Sequence, residues 1–347
     1  MQRTNLGRTG IEVSRFCLGT MTFGTQTAPR DAHAQLDRAR DAGIDFLDTA
    51  EMYPTNPTRA ETVGRTEEII GDWFARTGRR GEWIVATKHT GAGLAHIRDG
   101  APISAASIPA AVEGSLRRLR TDVIDLYQFH WPNRGAYSFR RNWRFDPTGQ
   151  DRDETLAHME ETLDALSRQV EKGNIRAFGL SNETAWGTAQ WLRLAEARGA
   201  PRVATIQNEY SLLCRLFDTD LAELCHHEQV GLLAFSPLAA GLLTGKYQGG
   251  AVPAGSRMAA TPGLGGRDTP RAPAAVAAYL QLAARFGLDP VQMALAFVAS
   301  RPFTASVILG ASSLAQLDHA LGATALRLSP EQLDAIDETH AAHPMPF

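Results

Sequence analysis

The sequence predicts an α/β fold, a (β/α)8 TIM barrel with an N-terminal β-hairpin and long βα loops at its C-terminal face. Three observations carry that expectation. Eight short apolar runs recur along the 347 residues, helical patterns fill the intervals, and polar side chains suited to chemistry sit where apolar runs stop. Continuous rather than alternating runs fit parallel strands covered on both faces. Eight of them alternating with helices over about 300 residues fit a closed barrel better than an open doubly wound sheet.

In chain order, QRTNLGRTGIEVS reads as a small hairpin with Gly7 and Gly10 bracketing its turn. The strand-like runs are RFCLGT (15–20), DFLDT (45–49), WIVATK (83–88) and DVIDLYQFH (122–130). They continue with IRAFGLS (175–181), VATIQNE (203–209), LLAFSP (232–237) and SVILG (306–310). Helical patterns lie between them. PRDAHAQLDRARDAG (29–43) ends in Gly, and AAVEGSLRRLR (110–120) carries Leu116 and Leu119. DETLAHMEETLDALSRQVEKG (153–173) starts acidic and ends with a lysine followed by Gly173. The connections 89–105, 131–152 and 238–272 are too long for simple turns, and in a barrel they gather at the C-terminal face. No repeat or low-complexity linker interrupts the pattern, so residues 1–347 are expected to form a single barrel domain.

A hydrophobic content of 44% with 21% charged residues is typical of a soluble protein with a large core. The net charge of −3, from 35 Lys and Arg against 38 Asp and Glu, gives no electrostatic case for nucleic acid or an anionic membrane. A small substrate and a phosphate-bearing cofactor need only a local basic spot. Cys17, Cys214 and Cys225 are scattered without a C-x-x-C pair, which argues against both a disulfide framework and a zinc site. His226, His227 and Glu228 lack the H-E-x-x-H spacing, so no metal is expected. GAGLAH (91–96) lacks the third glycine of a dinucleotide fingerprint and reads as a loop beside the substrate entrance. With no apolar N-terminal segment and no run long enough to span a bilayer, a cytoplasmic location is expected. Oligomeric state is left open.

Three strand-like runs end in Asp48, Lys88 and His130, and Tyr53 follows Asp48 five residues later. Each alone has an ordinary explanation as a turn former, a solvated cation or a hydrogen-bonded structural histidine. A barrel, however, brings distant strand ends around one axis. A phenol with a pKa of about 10 is a poor acid at neutral pH. An ammonium beside it lowers that value, and a carboxylate holds the ammonium charged and in place. An imidazole next to both can orient a carbonyl oxygen. The set is a proton donor in need of a hydride source. Ser181, Asn182 and Gln207 at later strand ends offer hydroxyl and amide groups for a nicotinamide carboxamide, and Tyr210 offers a ring to stack on it. Ser236 and the small residues through Gly241 leave room for backbone N–H groups at a pyrophosphate. Gly310 and Ser312 open a helix whose N-terminus suits a phosphate, although an ordinary Ser-capped helix reads the same way.

The motifs DTAEMYP, FHWP and LSNET, in that order, together with LGTMTFG, ATKHTG, SPLAAGLLTGKY and ILGASSLAQL, resemble the aldo-keto reductases, closest to their bacterial Tas-type branch. The likeness runs nearly end to end. It implies a (β/α)8 barrel plugged by a hairpin and the reduction of aldehydes and ketones with NADPH. By that resemblance Tyr53 is the proton donor, Lys88 and Asp48 tune it, and His130 orients the carbonyl. Gly19, Thr20 and Met21 line the nicotinamide and substrate side, while Ser181, Asn182 and Gln207 hold the carboxamide. Ser236, Pro237, Leu238, Ala239 and Gly241 cover the pyrophosphate, with Lys246 and Arg257 reaching from the long loop, and Phe235 just before them is a further cofactor-binding residue. Gly310, Ser312 and Gln316 surround the adenosine phosphate end. Related branches carry an acidic residue and Asn where this chain has His319 and Ala320, so an adenine contact does not carry over there. The expected substrate pocket is built from Met21, Tyr53, His130 and Trp131, with Tyr137, Trp143 and Phe145 as apolar walls. The rival readings are a Schiff-base barrel aldolase using Lys88 and a cofactor-bound binding module of the same fold with little turnover.

Overall fold

Apolar runs and strands coincide along the chain in the computed structural model, which describes residues 1–347. Strands β1 (Arg3–Asn5) and β2 (Glu12–Ser14) pair antiparallel as the expected hairpin. Eight parallel strands follow: β3 (Phe16–Gly19), β4 (Phe46–Asp48), β5 (Ile84–His89), β6 (Ile124–Phe129), β7 (Ile175–Ser181), β8 (Val203–Glu209), β9 (Gly231–Phe235) and β10 (Thr304–Gly310). They close in chain order, with β10 pairing both β9 and β3. Burial on both faces explains why the runs are continuously apolar.

The barrel has an inner and an outer apolar layer. Inside, Leu6, Ile11 and Val13 of the hairpin pack against Phe46, Ala86, Leu126 and Leu233 of the strands. The hairpin therefore stoppers the N-terminal end. Gly7 makes the fit possible: its φ is +54°, and a Cβ there would lie 2.7 Å from the Ala204 carbonyl oxygen. Outside, helices bury one stripe each. The helix Ser107–Leu119, for example, buries Ile108, Ala111, Val112, Ser115 and Leu119 at helical spacing. Asp151 caps the helix Arg152–Glu171 by accepting the Glu154 N–H, and Ser329 forms a capping box with Gln332. No single helix is long and apolar enough to cross a membrane.

Boundaries differ from expectation in ways that matter at the site. β5 runs one residue further, to His89, and β6 stops at Phe129, so His130 opens the loop rather than closing the strand. The connection 238–272 is not irregular throughout. It folds into short turns at Ala239–Thr244, Gln248–Gly250 and Pro262–Gly265 and a helical turn at Arg257–Ala260. Its many glycines take up the left-handed conformations between those turns, as at Gly245 (φ +77°) and Gly266 (φ +86°).

Candidate active site

The Asp48 strand end is held before any side chain is considered. Thr20 donates to the Asp48 carbonyl oxygen through both its N–H (3.1 Å) and its hydroxyl (2.8 Å). Gly19 lies beside it because a Cβ there would meet the Ile308 side chain at 2.6 Å. The Asp48 carboxylate then points into the barrel mouth. One oxygen accepts the Lys88 ammonium at 2.7 Å, and the other accepts the amides of Gln207 at 2.8 Å and Gln128 at 3.4 Å. Lys88 also donates to the Thr49 carbonyl at 2.8 Å. Both ions are sealed from solvent, with side-chain exposures of 0% for Lys88 and 3% for Asp48. A buried pair is tolerated only when its remaining hydrogen-bonding capacity is met, which the two glutamines and Thr49 do.

Tyr53 and His130 complete the group. The Lys88 ammonium lies 4.9 Å from the Tyr53 ring centroid, and the Tyr53 and His130 rings meet edge to face at 5.8 Å. The four side chains predicted to converge do so. Their electrostatics differ from the simple expectation in one respect. Burial pushes the Tyr53 phenol up and outweighs the downward pull of Lys88, with Asp48 adding to the rise. Burial also opposes the charge on Lys88, but Asp48 and Tyr53 more than offset it and hold the ammonium charged above its usual range. His130 is driven well below the usual imidazole value by burial and by Lys88, so its ring is neutral at pH 7. Its Nδ1 is buried without a hydrogen-bond partner. A partnerless polar atom beside the site leaves hydrogen-bonding capacity that a ligand or water can meet.

The next strand ends form a second polar cluster. Asn182 (φ +54°) donates to the His130 carbonyl at 2.9 Å and to the Ser181 hydroxyl at 3.1 Å, and Ser181 donates to the Gln207 carbonyl at 2.8 Å. Gln207 thus links this cluster to Asp48. Tyr210 does not join it. Its ring is wholly buried among Phe217, Phe297 and Phe303, and its hydroxyl donates to Asp218 at 2.5 Å. Lying one residue beyond β8, it turns outward to the helical layer. Sequence spacing alone could not distinguish that orientation. Phe235, half-buried at the end of β9, is the aromatic ring left at that rim.

Beyond β9 the backbone opens. Ser236, Ala239, Ala240 and Gly241 have φ of 52°, 48°, 56° and 94°, a run of left-handed residues that creates anion-binding concavities. Pro237 and Leu238 lie within it. Gly241 suits this stretch because its φ of +94° is one that residues with a side chain rarely adopt. Arg257, from the long loop, is acted on by burial, Arg267, Tyr53 and Tyr247. Burial and Arg267 bring it down to about 10, and no carboxylate pairs with it. A largely desolvated guanidinium without an acidic partner fits a phosphate-bearing group. At β10, Gly310 pairs with Gly19, and the following helix starts later than expected: Ser313 caps it and Leu314 opens it. The Ser312 N–H and hydroxyl donate to Gln316 at 3.0 and 3.1 Å. His319 is engaged with Asp289 at 2.8 Å on the surface.

Trp131 forms the outer wall, its ring 4.9 Å from His130 and its indole N–H donated to the Ala92 carbonyl at 3.1 Å. Gly91 beneath it leaves no space for a side chain, since a Cβ would lie 2.2 Å from the indole nitrogen. Met21 is half-buried, and its carbonyl accepts the Thr55 N–H at 3.0 Å, which ties the first strand end to the Tyr53 loop. Tyr137 and Phe145 pack edge to face at 6.0 Å within their own loop, and Trp143 lies under Arg271 at 4.8 Å.

Sequence reasoning missed a second buried ion pair. Glu51, two residues before Tyr53, accepts two hydrogen bonds from Arg98 (2.7 and 2.9 Å) and the Thr90 N–H (2.5 Å). Burial raises the Glu51 carboxyl, but Arg98, His89 and Thr90 outweigh it and hold it below its usual range. Burial keeps His89 neutral, lowered to about 4. Glu51 was visible within DTAEMYP, but nothing in spacing links it to an arginine 47 residues away.

Comparison with known proteins agrees with this geometry. The family model described as "Aldo/keto reductase family" matches residues 15–341. The chain is 43% identical to Protein tas of Escherichia coli (strain K12), covering 100% of this chain and 99% of that protein. It is 33% identical to an uncharacterized oxidoreductase, YrpG, of Bacillus subtilis (97% and 95%). It is 31% identical to a probable voltage-gated potassium channel subunit beta of Arabidopsis thaliana (99% and 98%). A closed parallel barrel with these strand ends, and matches across nearly its whole length, show that the chain belongs to the aldo/keto reductase family.

Proposed function

We propose that the protein is an NADPH-dependent carbonyl reductase that converts aldehydes and ketones to alcohols. One observation carries the reading: a solvent-sealed Lys88–Asp48 pair backs a neutral phenol and a neutral imidazole at one barrel mouth. When bound, the reduced nicotinamide supplies a hydride to the carbonyl carbon. The carbonyl oxygen sits between Tyr53 and His130. Neutral His130 donates an N–H to that oxygen and orients it. Tyr53, kept protonated by burial, passes its proton to the oxygen as negative charge develops there. Lys88 steadies the resulting phenolate, Asp48 keeps Lys88 charged, and water returns the proton. Ser181, Asn182 and Gln207 hold the carboxamide, with Phe235 in place of Tyr210 against the ring. The left-handed stretch from Ser236, with Lys246 and Arg257, receives the phosphates, and Gly310, Ser312 and Gln316 receive the adenosine end.

A Schiff-base role for Lys88 is disfavoured by the same geometry, because imine formation needs an uncharged amine. Here Asp48 and Thr49 hold the ammonium. The test is oxidation of NADPH and NADH against a panel of aldehydes, ketones and dicarbonyls, with Tyr53→Phe alongside. The variant is expected to bind NADPH normally and to lose about 10²–10⁴ in turnover. Near-normal turnover in Tyr53→Phe, or a borohydride-trapped adduct on Lys88, would overturn the assignment. Tight NADPH binding with no turnover on any carbonyl would favour the binding module.

A further inference from the structure

Tyr53 and Lys88 lie on two chain segments, the turn that follows β4 and the end of β5. The backbone bonds that tie residues 50–53 to their neighbours are long. The Glu51 N–H meets the Lys88 carbonyl at 3.3 Å, and the Thr66 N–H meets the Tyr53 carbonyl at 3.3 Å. Two residues from each member of the Tyr53–Lys88 pair, Glu51 and Thr90 join the same segments a second time and more tightly. The Glu51 carboxylate accepts the Thr90 N–H at 2.5 Å. Arg98 then donates to both Glu51 oxygens, at 2.9 and 2.7 Å, and to the Thr90 carbonyl at 3.0 Å. One guanidinium therefore grips the Tyr53 turn and the end of the Lys88 strand at once, which its planar fork of donors permits.

Arg98 is held in a place it would not take by itself. Arg98 and Asp99 have φ of 48° and 54°, a left-handed pair that residues with side chains seldom adopt. The Arg98 Nε is buried without a partner while both terminal nitrogens are fully engaged. The guanidinium thus leaves hydrogen-bonding capacity unused on one edge in order to meet Glu51 and Thr90 on the other. Its neighbour Ile97 packs with Ala50 and Met52 on the apolar side of the turn, where Tyr53 joins them. His89 lies 3.2 Å from the guanidinium but is neutral, so it does not compete for Glu51 as a second cation.

We infer that Arg98 is a positioning residue for the proton transfer, and that through Glu51 and Thr90 it fixes Tyr53 against Lys88. The inference rests on the carbonyl reductase reading and goes beyond the stability the ion pair provides. A turn released from Arg98 lets the phenol drift from the carbonyl oxygen, and a misplacement of about 1 Å slows a positioned reaction by about 10² without weakening binding.

The experiment uses the full chain and two variants, Arg98→Met and Glu51→Gln/Arg98→Met. The double variant removes the stranded carboxylate charge together with its partner, so stability returns towards wild type while the grip of Arg98 stays absent. Turnover is followed with 4-nitrobenzaldehyde and phenylglyoxal as probes in light and heavy water, NADPH affinity by fluorescence, and local opening by hydrogen exchange of the cofactor-free chain. Both variants are expected to lose about 10–10² in kcat, with KM and the NADPH Kd within about twofold of wild type. The solvent isotope effect on kcat should rise, because proton transfer from a displaced donor becomes the slow step. Exchange should quicken in residues 49–55 and 89–91 and nowhere else. A kcat that recovers with stability in the double variant, a loss that falls on KM or NADPH affinity instead, or exchange that is unchanged or faster throughout the barrel would overturn the inference. Exchange confined to those two segments, in a protein whose wild type reduces neither probe, would support the hold on Tyr53 while removing the reductase reading.

Discussion

Replacing Arg98 with methionine keeps the length of the side chain and removes its charge. In the native protein Arg98 gives Glu51 two of the three hydrogen bonds it accepts, and the Glu51 side chain is only 7% exposed. Breaking a buried pair by deleting one partner costs about 3–5 kcal/mol, because the other charge stays behind. Arg98 is 25% exposed, so solvent screens part of the attraction, and the expected loss falls to about 2–3 kcal/mol. For a chain of this length that is a melting temperature lower by roughly 3–4 °C. The sign with pH follows from Glu51, whose folded-state value lies below its ordinary one. Its stabilisation is present above the unfolded-state value of about 4.3 and is lost as pH falls through the folded one. Thermal melts of wild type and Arg98→Met should therefore differ most near pH 7 and converge below about pH 4. The double variant Glu51→Gln/Arg98→Met should recover most of the loss, because the amide oxygen still accepts the Thr90 N–H. A deficit under about 1 °C at pH 7, or one that persists unchanged in acid, would refute the reasoning.

Further outcomes can be checked directly. His130 is held neutral by burial and Lys88, so kcat/KM for reduction should be flat from pH 8 down to pH 5, with no imidazole limb near 6.5; a decline centred there would show that the ring titrates in the native site. Because burial raises the Tyr53 phenol, the proton donor stays loaded through neutral pH, and any alkaline loss of activity should begin above about pH 8. Gly91→Ala should displace Trp131, lowering kcat/KM with little effect on NADPH affinity, since the added Cβ would sit 2.2 Å from the indole nitrogen; unchanged kinetics would mean the indole can shift without consequence.

Most of the barrel was legible because each strand is buried on both faces and therefore writes a continuous apolar run. Asp48, Lys88 and His130 stood out because they interrupt such runs, and Tyr53 because of its place in DTAEMYP. What stayed hidden depends on direction or on distant pairing. Tyr210 follows β8 by one residue, and a single step decides whether a side chain faces the mouth or the helical layer. Gln128 lies inside an apolar run and looks incidental until it meets Asp48 from two strands away. Arg98 sits in a long loop, where neither period nor spacing indicates what it touches. The late start of the helix at Leu314 shows the same limit: Ser312 was read as its opening residue, and the fold caps it with Ser313 instead.

The Asp48 carboxylate has a consequence for assembly. Its partners come from β5, β6 and β8, so its hydrogen bonds join residues 40, 80 and 159 positions apart. The half-barrel β3 to β6 can already bring Lys88 and Gln128 to Asp48, but the Gln207 amide, which makes the shorter of the two amide bonds, arrives only with β8. The support of the proposed proton donor is therefore complete only after β8 has joined the ring of strands. Recovery of catalysis during refolding should trail recovery of helical signal, and the delay is a clock for ring closure.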